Sequence, residues 1–270
     1  GLKVMSDGVF ENAYLRSSID RFQSAVKNDF NTGMMTTAQA IEKEKSLLIR
    51  NQYSYLKPEH INSFEIGYKG VFLSGGLRVD ADFYYNKYRN FIAQVEMNVP
   101  LTSKPDSIPY YLNNKSMQNR YRLYTNSGSV VYNYGGSFAL SYRIFNKYIL
   151  AGNLSYAKLS KTENNDGFED GFNTPEWTSN LSLSAEQVFG KIGFNINFRH
   201  QSGFYWQSFL VNGNVKAYGN LDAQVNYNIS TLNLNVKAGA TNLLNKYYNS
   251  YLGGPAVGGF YYTTLTYSLQ

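Results

Sequence analysis

The stretch KIGFNINFRH, residues 191–200, alternates without a break: Ile192, Phe194, Ile196 and Phe198 share one parity, while Gly193, Asn195, Asn197 and Arg199 share the other. Side chains of a strand change face at every residue, so this segment predicts a strand with one apolar and one polar face. The same pattern recurs through most of the chain. Leu221, Ala223, Val225 and Tyr227 oppose Asn220, Asp222, Gln224 and Asn226, and Leu232, Leu234 and Val236 oppose Asn233, Asn235 and Lys237. A chain built this way must be a sheet, and its apolar face must meet either a second sheet or lipid.

Read at period two, the sequence predicts nine strands, over 61–72, 77–95, 121–144, 148–158, 178–188, 191–204, 218–229, 232–244 and 260–269. The third is read as one long strand because a single parity carries Tyr124, Val130, Tyr132, Tyr134, Phe138, Leu140, Tyr142 and Ile144. The connections alternate in length. Short turns at 73–76, 145–147, 189–191 and 229–231 take turns with long polar loops near 97–120, 160–177, 205–217 and 245–259. Short turns on one rim and long loops on the other are the layout of an outer-membrane barrel, with the short turns in the periplasm. A soluble sandwich has no reason to sort its loops in this way. Tyr142, Tyr148, Phe189, Tyr227 and Tyr267 lie beside the short turns, as an interfacial aromatic girdle would.

Composition suits both strands wetted on one face and the interfacial belts of a barrel. Charged residues make up only 16% of the 270, and aromatics, led by 25 Tyr and 17 Phe, another 16%. Soluble domains carry roughly 25% charge. No apolar run approaches the ~20 residues of a membrane helix, so any crossing is by strands. The net charge of +6 comes from Lys and Arg scattered singly, which excludes a nucleic-acid footprint. Without cysteine there is neither a disulfide, a thiolate metal site nor a Cys nucleophile.

The strand count carries a further expectation. The last strand must end on the periplasmic side, so nine strands traced backwards begin outside the cell, whereas bacterial single-chain barrels have even strand numbers. An open sheet edge cannot remain in lipid. The nine strands are therefore expected to be the C-terminal part of a larger barrel, occupying residues 56–270, with the earlier strands outside this chain. Residues 1–55 are expected to be an extracellular loop segment, in which TTAQAIEKEKSLLIRN forms a short helix opened by Thr36 or Thr37.

Four stretches resemble a known family. LKPEHINSFEIGYKG (56–70) is similar to an entry into a barrel strand in the TonB-dependent receptors, and LRVDADFYYNKYRNFI (77–92) to the strand that follows it. FNTPEWTSNLSL (172–183) resembles the segment before a descending strand, and ATNLLNKYY (240–248) the element before the last loop and strand. The likeness covers nearly all of 56–270 and has the flavour of Bacteroidota receptors. It implies an all-β, antiparallel transmembrane β-barrel, of which this chain holds about nine C-terminal strands of a plugged, 22-stranded whole. It also implies an outer-membrane receptor that binds a scarce nutrient at the cell surface and imports it with energy delivered through TonB. No bond chemistry is implied, so the chain is not expected to be an enzyme or to need a cofactor. The implied partners are the lipid bilayer, the remaining barrel strands, TonB acting through a plug outside this chain, a small-molecule, glycan or peptide substrate, and in some members a surface lipoprotein. A passive channel and a soluble β-sandwich binding module are the rival readings.

Candidate binding residues follow from this layout. Arg199 and Gln201 sit near the outer end of one strand, Tyr205 and Trp206 just beyond it, and Tyr218 and Asn220 begin the next. Rings and polar groups so grouped could hold substrate by stacking and hydrogen bonds, or could simply line hydrated space. The carboxylates Glu163, Asp166, Glu169 and Asp170 are dense enough to suggest calcium, but their spacing fits no EF-hand, and solvation is the plainer reading. His60 and His200 lack any partner pattern, and no metal site is expected.

Overall fold

The alternating segments fold as strands, and nine of them join in a single sheet. The computed structural model describes residues 10–53, 55–162, 168–169, 171–188, 190–208 and 210–269. In chain order the first strands are β1 (Tyr14–Leu15), β2 (His60–Phe72), β3 (Leu77–Arg89), β4 (Ile92–Pro100), β5 (Gln118–Asn126), β6 (Val131–Ile144) and β7 (Tyr148–Lys161). They are followed by β8 (Phe168–Glu169), β9 (Trp177–Val188), β10 (Ile192–Gln201), β11 (Phe204–Trp206), β12 (Gly213–Val215), β13 (Tyr218–Ile229), β14 (Leu234–Thr241) and β15 (Phe260–Tyr267). The large sheet runs β15-β14-β13-β10-β9-β7-β6-β3-β2, so each strand lies beside the next one that belongs to it in sequence. This is an antiparallel meander, and its strands are the nine that the alternation predicts.

The chain divides into two units. One comprises Gly1–His60, Tyr88–Val130 and Lys161–Asp170; the other comprises Ile61–Lys87, Val131–Ser160 and Gly171–Gln270 and holds the nine-stranded sheet.

The first unit has a conventional core. Helix α1 (Arg16–Asn31) buries Ile19, Phe22 and Val26, which recur at helical spacing. Helix α2 (Thr37–Glu44) opens on Thr36, whose hydroxyl accepts the Gln39 N–H at 3.3 Å while the Gln39 side chain accepts the Thr36 N–H at 2.9 Å. That reciprocal capping box confirms the predicted start. Phe22 and Val26 of α1 pack with Ala40 and Ile41 of α2, and Lys43 ties the two helices through Asp29 at 2.8 Å. A second cluster joins Ala13 to Ala93, Val95 and Met97 of β4, in a sheet where β4 pairs with β1, β5 and β8. Helix α3 (Ile108–Asn113) lies between β4 and β5 in sequence and buries Leu112. Helix α1 was legible in the Ile19, Phe22, Val26 spacing, but the Ser, Asp and Asn residues among and after them are weak helix formers and mask it.

Three predicted strands need correction. Segment 77–95 is not one strand: Asn90 adopts φ 55°, and the chain leaves β3 for β4, which belongs to a different sheet. Segment 121–144 breaks likewise between β5 and β6, across residues 127–130. The breaks face each other, since Ile92 pairs with Asn126 and the Ser127 N–H donates to the Phe91 carbonyl at 2.8 Å. Parity survived both breaks, so periodicity alone could not reveal them. Segment 191–204 also ends early, at Gln201, and Phe204 enters a separate two-stranded sheet formed by β11 and β12.

Each short turn contains a left-handed residue. They are Leu73, Ser74 and Gly75 after β2, Phe145 and Asn146 after β6, Gly190 after β9 and Asn233 before β14. Turns of this hand match the right-handed twist of paired strands, which is why such short connections close. Among the described residues, no helix is long and apolar enough to cross a membrane.

Candidate functional site

The large side chains on the apolar parity of the large sheet are mostly uncovered. Cross-strand registers align Leu150, Leu183, Ile196, Ala223, Ala240 and Tyr261 in one row, with Leu181, Phe198 and Leu221 beside it. Ile196 is 43% exposed, Phe198 45% and Leu265 66%. A sandwich would bury this face against a second sheet, so the exposure argues for lipid.

Aromatic side chains mark both margins of that face. Near the short turns stand Tyr142, Tyr148, Tyr227 and Tyr267; Phe189, expected with them, lies outside the described residues. Toward the other rim Tyr85, Tyr132, Tyr134, Tyr156 and Trp177 form a contiguous ladder across β3, β6, β7 and β9, with centroid separations of 4.6–6.5 Å. Tyr148 and Tyr156 stand about 26 Å apart along β7 at ~3.3 Å per residue. That is comparable with the ~25 Å apolar band of a membrane barrel. Just past the ladder Lys158 pairs with Glu176 at 3.3 Å, as charges at an interface do.

The opposite parity carries a polar network. Asn153, Asn180, Arg199 and Asn220 are cross-strand neighbours in one row. Asn180 donates to Asn153 at 2.8 Å. Arg199 makes a forked contact with Asp222, Nε to Oδ2 at 2.9 Å and Nη2 to Oδ1 at 3.2 Å. Asp222 also accepts the Asn242 N–H at 2.9 Å.

The segments that carried the family resemblance turn out to brace the chain. The Lys57 N–H donates to Asn126 Oδ1 at 2.6 Å, and Glu59 accepts the Ile92 N–H at 2.8 Å, so LKPE pins the break between β3 and β4. In NLLNK, Asn242 donates to the Lys246 carbonyl at 2.8 Å and accepts the Lys246 N–H at 3.2 Å. Asn245 accepts the Gly259 N–H at 2.7 Å.

The candidate binding residues separate into three settings. Arg199 and Asn220 lie side by side, but the guanidinium of Arg199 is engaged by Asp222, and Asn220 is only 3% exposed. Gln201 pairs across the strands with Tyr218. Tyr205 and Trp206 belong to β11, with Tyr205 exposed opposite Asn214 and the Trp206 ring 5.5 Å from that of Tyr251. Of the six, Tyr218 lines a cavity of about 510 Å³ at the long-connection rim. Its polar and aromatic walls otherwise come from Asn214, Lys216, Tyr247, Tyr248, Asn249 and Tyr251. Sequence reasoning passed over these, although the density of Tyr in NKYYNSYLGG was the available signal. Of the suspected calcium loop, Glu163, Asp166 and Asp170 lie outside the described residues, and only the backbone of Glu169 is described, paired with Gln94. No cluster of His, Asp or Glu suited to a metal occurs among the described residues.

Among curated proteins, none matches the chain. Solved structures do. The copper transporter OprC aligns with a TM-score of 0.56 at 16% identity, over 78% of this chain and 31% of its own. The ferric-catecholate import receptor Fiu from E. coli K12 aligns at 0.54 and 17%, over 78% and 28%. FpvA of P. aeruginosa, solved with heterologous pyoverdines, aligns at 0.52 and 16%, over 73% and 25%. The chain thus spans between a quarter and a third of the length of these proteins, and at such identities the likeness is one of fold. The profile of the TonB dependent receptor-like β-barrel family matches residues 25–243, the greater part of the sequence. With its exposed apolar face, its aromatic margins and its alternating rims, this chain belongs to that family of outer-membrane β-barrels.

Proposed function

We propose that the chain is the C-terminal barrel portion of a receptor, of Bacteroidota type, that captures a scarce nutrient at the cell surface and imports it with energy delivered through TonB. The observation that carries this reading is the family match over 25–243, joined to a sheet that offers its apolar side chains to lipid. On this reading the short turns face the periplasm, and residues 1–55 belong to an extracellular segment. The plug, through which TonB acts, comes from elsewhere in the receptor. The long connections are then the part of the chain that meets substrate, because loops on a rigid scaffold carry recognition.

The six candidate residues have unequal roles in this scheme. Tyr205, Trp206, Tyr218 and Gln201 reach the outer rim, where large rigid rings bind at small entropic cost. Arg199 and Asn220 hold the wall beneath. Trp206→Ala in the complete receptor should weaken ligand binding by about 1–3 kcal/mol. Ser74→Ala, on the short-turn rim, should leave binding unchanged.

The deciding experiment is uptake. A strain lacking the gene is screened for the nutrient on which it no longer grows, and uptake of that nutrient is measured with the complete receptor restored, in the presence and absence of TonB. Loss of uptake without TonB is the expected result. Uptake that proceeds unchanged without TonB would make the protein a passive channel and overturn the reading.

A further inference from the structure

The cavity at the long-connection rim has a definite chemistry. Its volume, about 510 Å³, lies within the ~300–1,000 Å³ usual for small-molecule sites. Four tyrosines line it, Tyr218, Tyr247, Tyr248 and Tyr251, together with Asn214, Asn249 and Lys216 and the apolar Val215, Ala217 and Leu252. Among the described residues, no Asp or Glu lines it. A free metal ion or a cationic peptide would find no counter-charge there. A highly charged anion would find a single cation.

Three of the four rings are held in place before any ligand arrives. Tyr218 and Tyr248 stack on each other with centroids 4.0 Å apart, and Tyr251 rests against Trp206 at 5.5 Å. The loop that carries Tyr248 and Tyr251 is closed by reciprocal backbone bonds between Tyr248 and Val257, at 2.8 and 3.2 Å. Asn249 is fixed by donating to the Gly254 carbonyl at 3.0 Å. Such preorganisation lowers the entropic cost of binding.

Aromatic faces combined with amides and one cation suit a ligand that is apolar on its C–H faces and rich in hydroxyl groups at its edges. We infer that this cavity is a saccharide subsite, in which Tyr247 and Tyr251 stack on sugar faces while Asn214, Asn249 and Lys216 hydrogen-bond hydroxyl oxygens. The inference rests on the receptor reading above and assigns its substrate class.

The test is titration of the purified complete receptor in detergent with a panel of short oligosaccharides of glucose, galactose, mannose, xylose and galacturonic acid, with ferric catecholate and ferric hydroxamate chelates as competitors. At least one saccharide is expected to bind. Tyr247→Ala should weaken that binding by about tenfold or more, whereas Tyr247→Phe, which keeps the ring, should stay within about threefold. Tyr247 is 71% exposed, so its loss should not unfold the loop. Lys216→Met should weaken binding without abolishing it. The inference is overturned if no saccharide binds up to about 10 mM, if Tyr247→Ala binds like the wild type, or if the ferric chelates occupy the cavity instead. Because titration needs no TonB, its failure leaves the import reading standing, and TonB-independent uptake of a saccharide would reject import coupling while keeping the subsite.

Discussion

In the helix-containing unit the apolar side chains point inward, and in the nine-stranded sheet they point outward. Every buried apolar residue larger than valine among the described residues, including Ile19, Phe22, Met97 and Leu112, belongs to the first unit. In the sheet the buried apolar residues are Val or Ala, while Phe, Ile and Leu along one parity are exposed or half-buried. The two units therefore obey one rule in two solvents. Where water surrounds the chain, burial of Phe22 against Val26, Ala40 and Ile41 stabilises it. Where lipid is the solvent, the apolar side chain need not leave it, and stability comes from satisfying every backbone group between strands.

The largest effect that could break this comparison is in the helical core. Phe22→Ala should cost about 3–5 kcal/mol locally, read as lost hydrogen-exchange protection over Arg16–Asn31 with the large sheet unaffected. Unchanged protection would mean that α1 is not held by its core. Next comes the lipid face: Ile196→Arg should hinder insertion by about 2–4 kcal/mol if it lies near the bilayer midplane, and Asn197→Arg should be tolerated. Equal amounts and equal heat stability of the two variants in outer membranes would remove the distinction between the faces.

A smaller effect is expected within the polar network. Asp222→Ala strips the acceptor from both Arg199 and the Asn242 N–H, and should cost about 1–3 kcal/mol, seen as faster exchange or proteolysis near residues 242–246. Should Arg199→Ala loosen that segment equally, the ion pair rather than the backbone bond is what holds it. The smallest effect is at the exposed cap, where Thr36→Ala should destabilise α2 by about 1 kcal/mol, measured by exchange of Thr37–Glu44. A loss as large as that from Phe22→Ala would show that capping, and not burial, governs the helical unit.

What the sequence determined by itself was everything with a local period or a local signal. Alternation in 191–200 and 218–229 marked which side chains share a face, the lengths of the connections sorted the rims, and Thr36 or Thr37 announced a helix start. All these depend on residues a few positions apart. The tertiary structure alone decided where a strand changes sheets, because the left-handed turn at Asn90 and the gap at 127–130 leave the parity of 77–95 and 121–144 intact. It also decided that Arg199 is engaged by Asp222, and that the rings walling the cavity come from Tyr218 together with Tyr247, Tyr248 and Tyr251. Those contacts join residues on different strands and loops, and their pairing is set by register, which no single segment encodes.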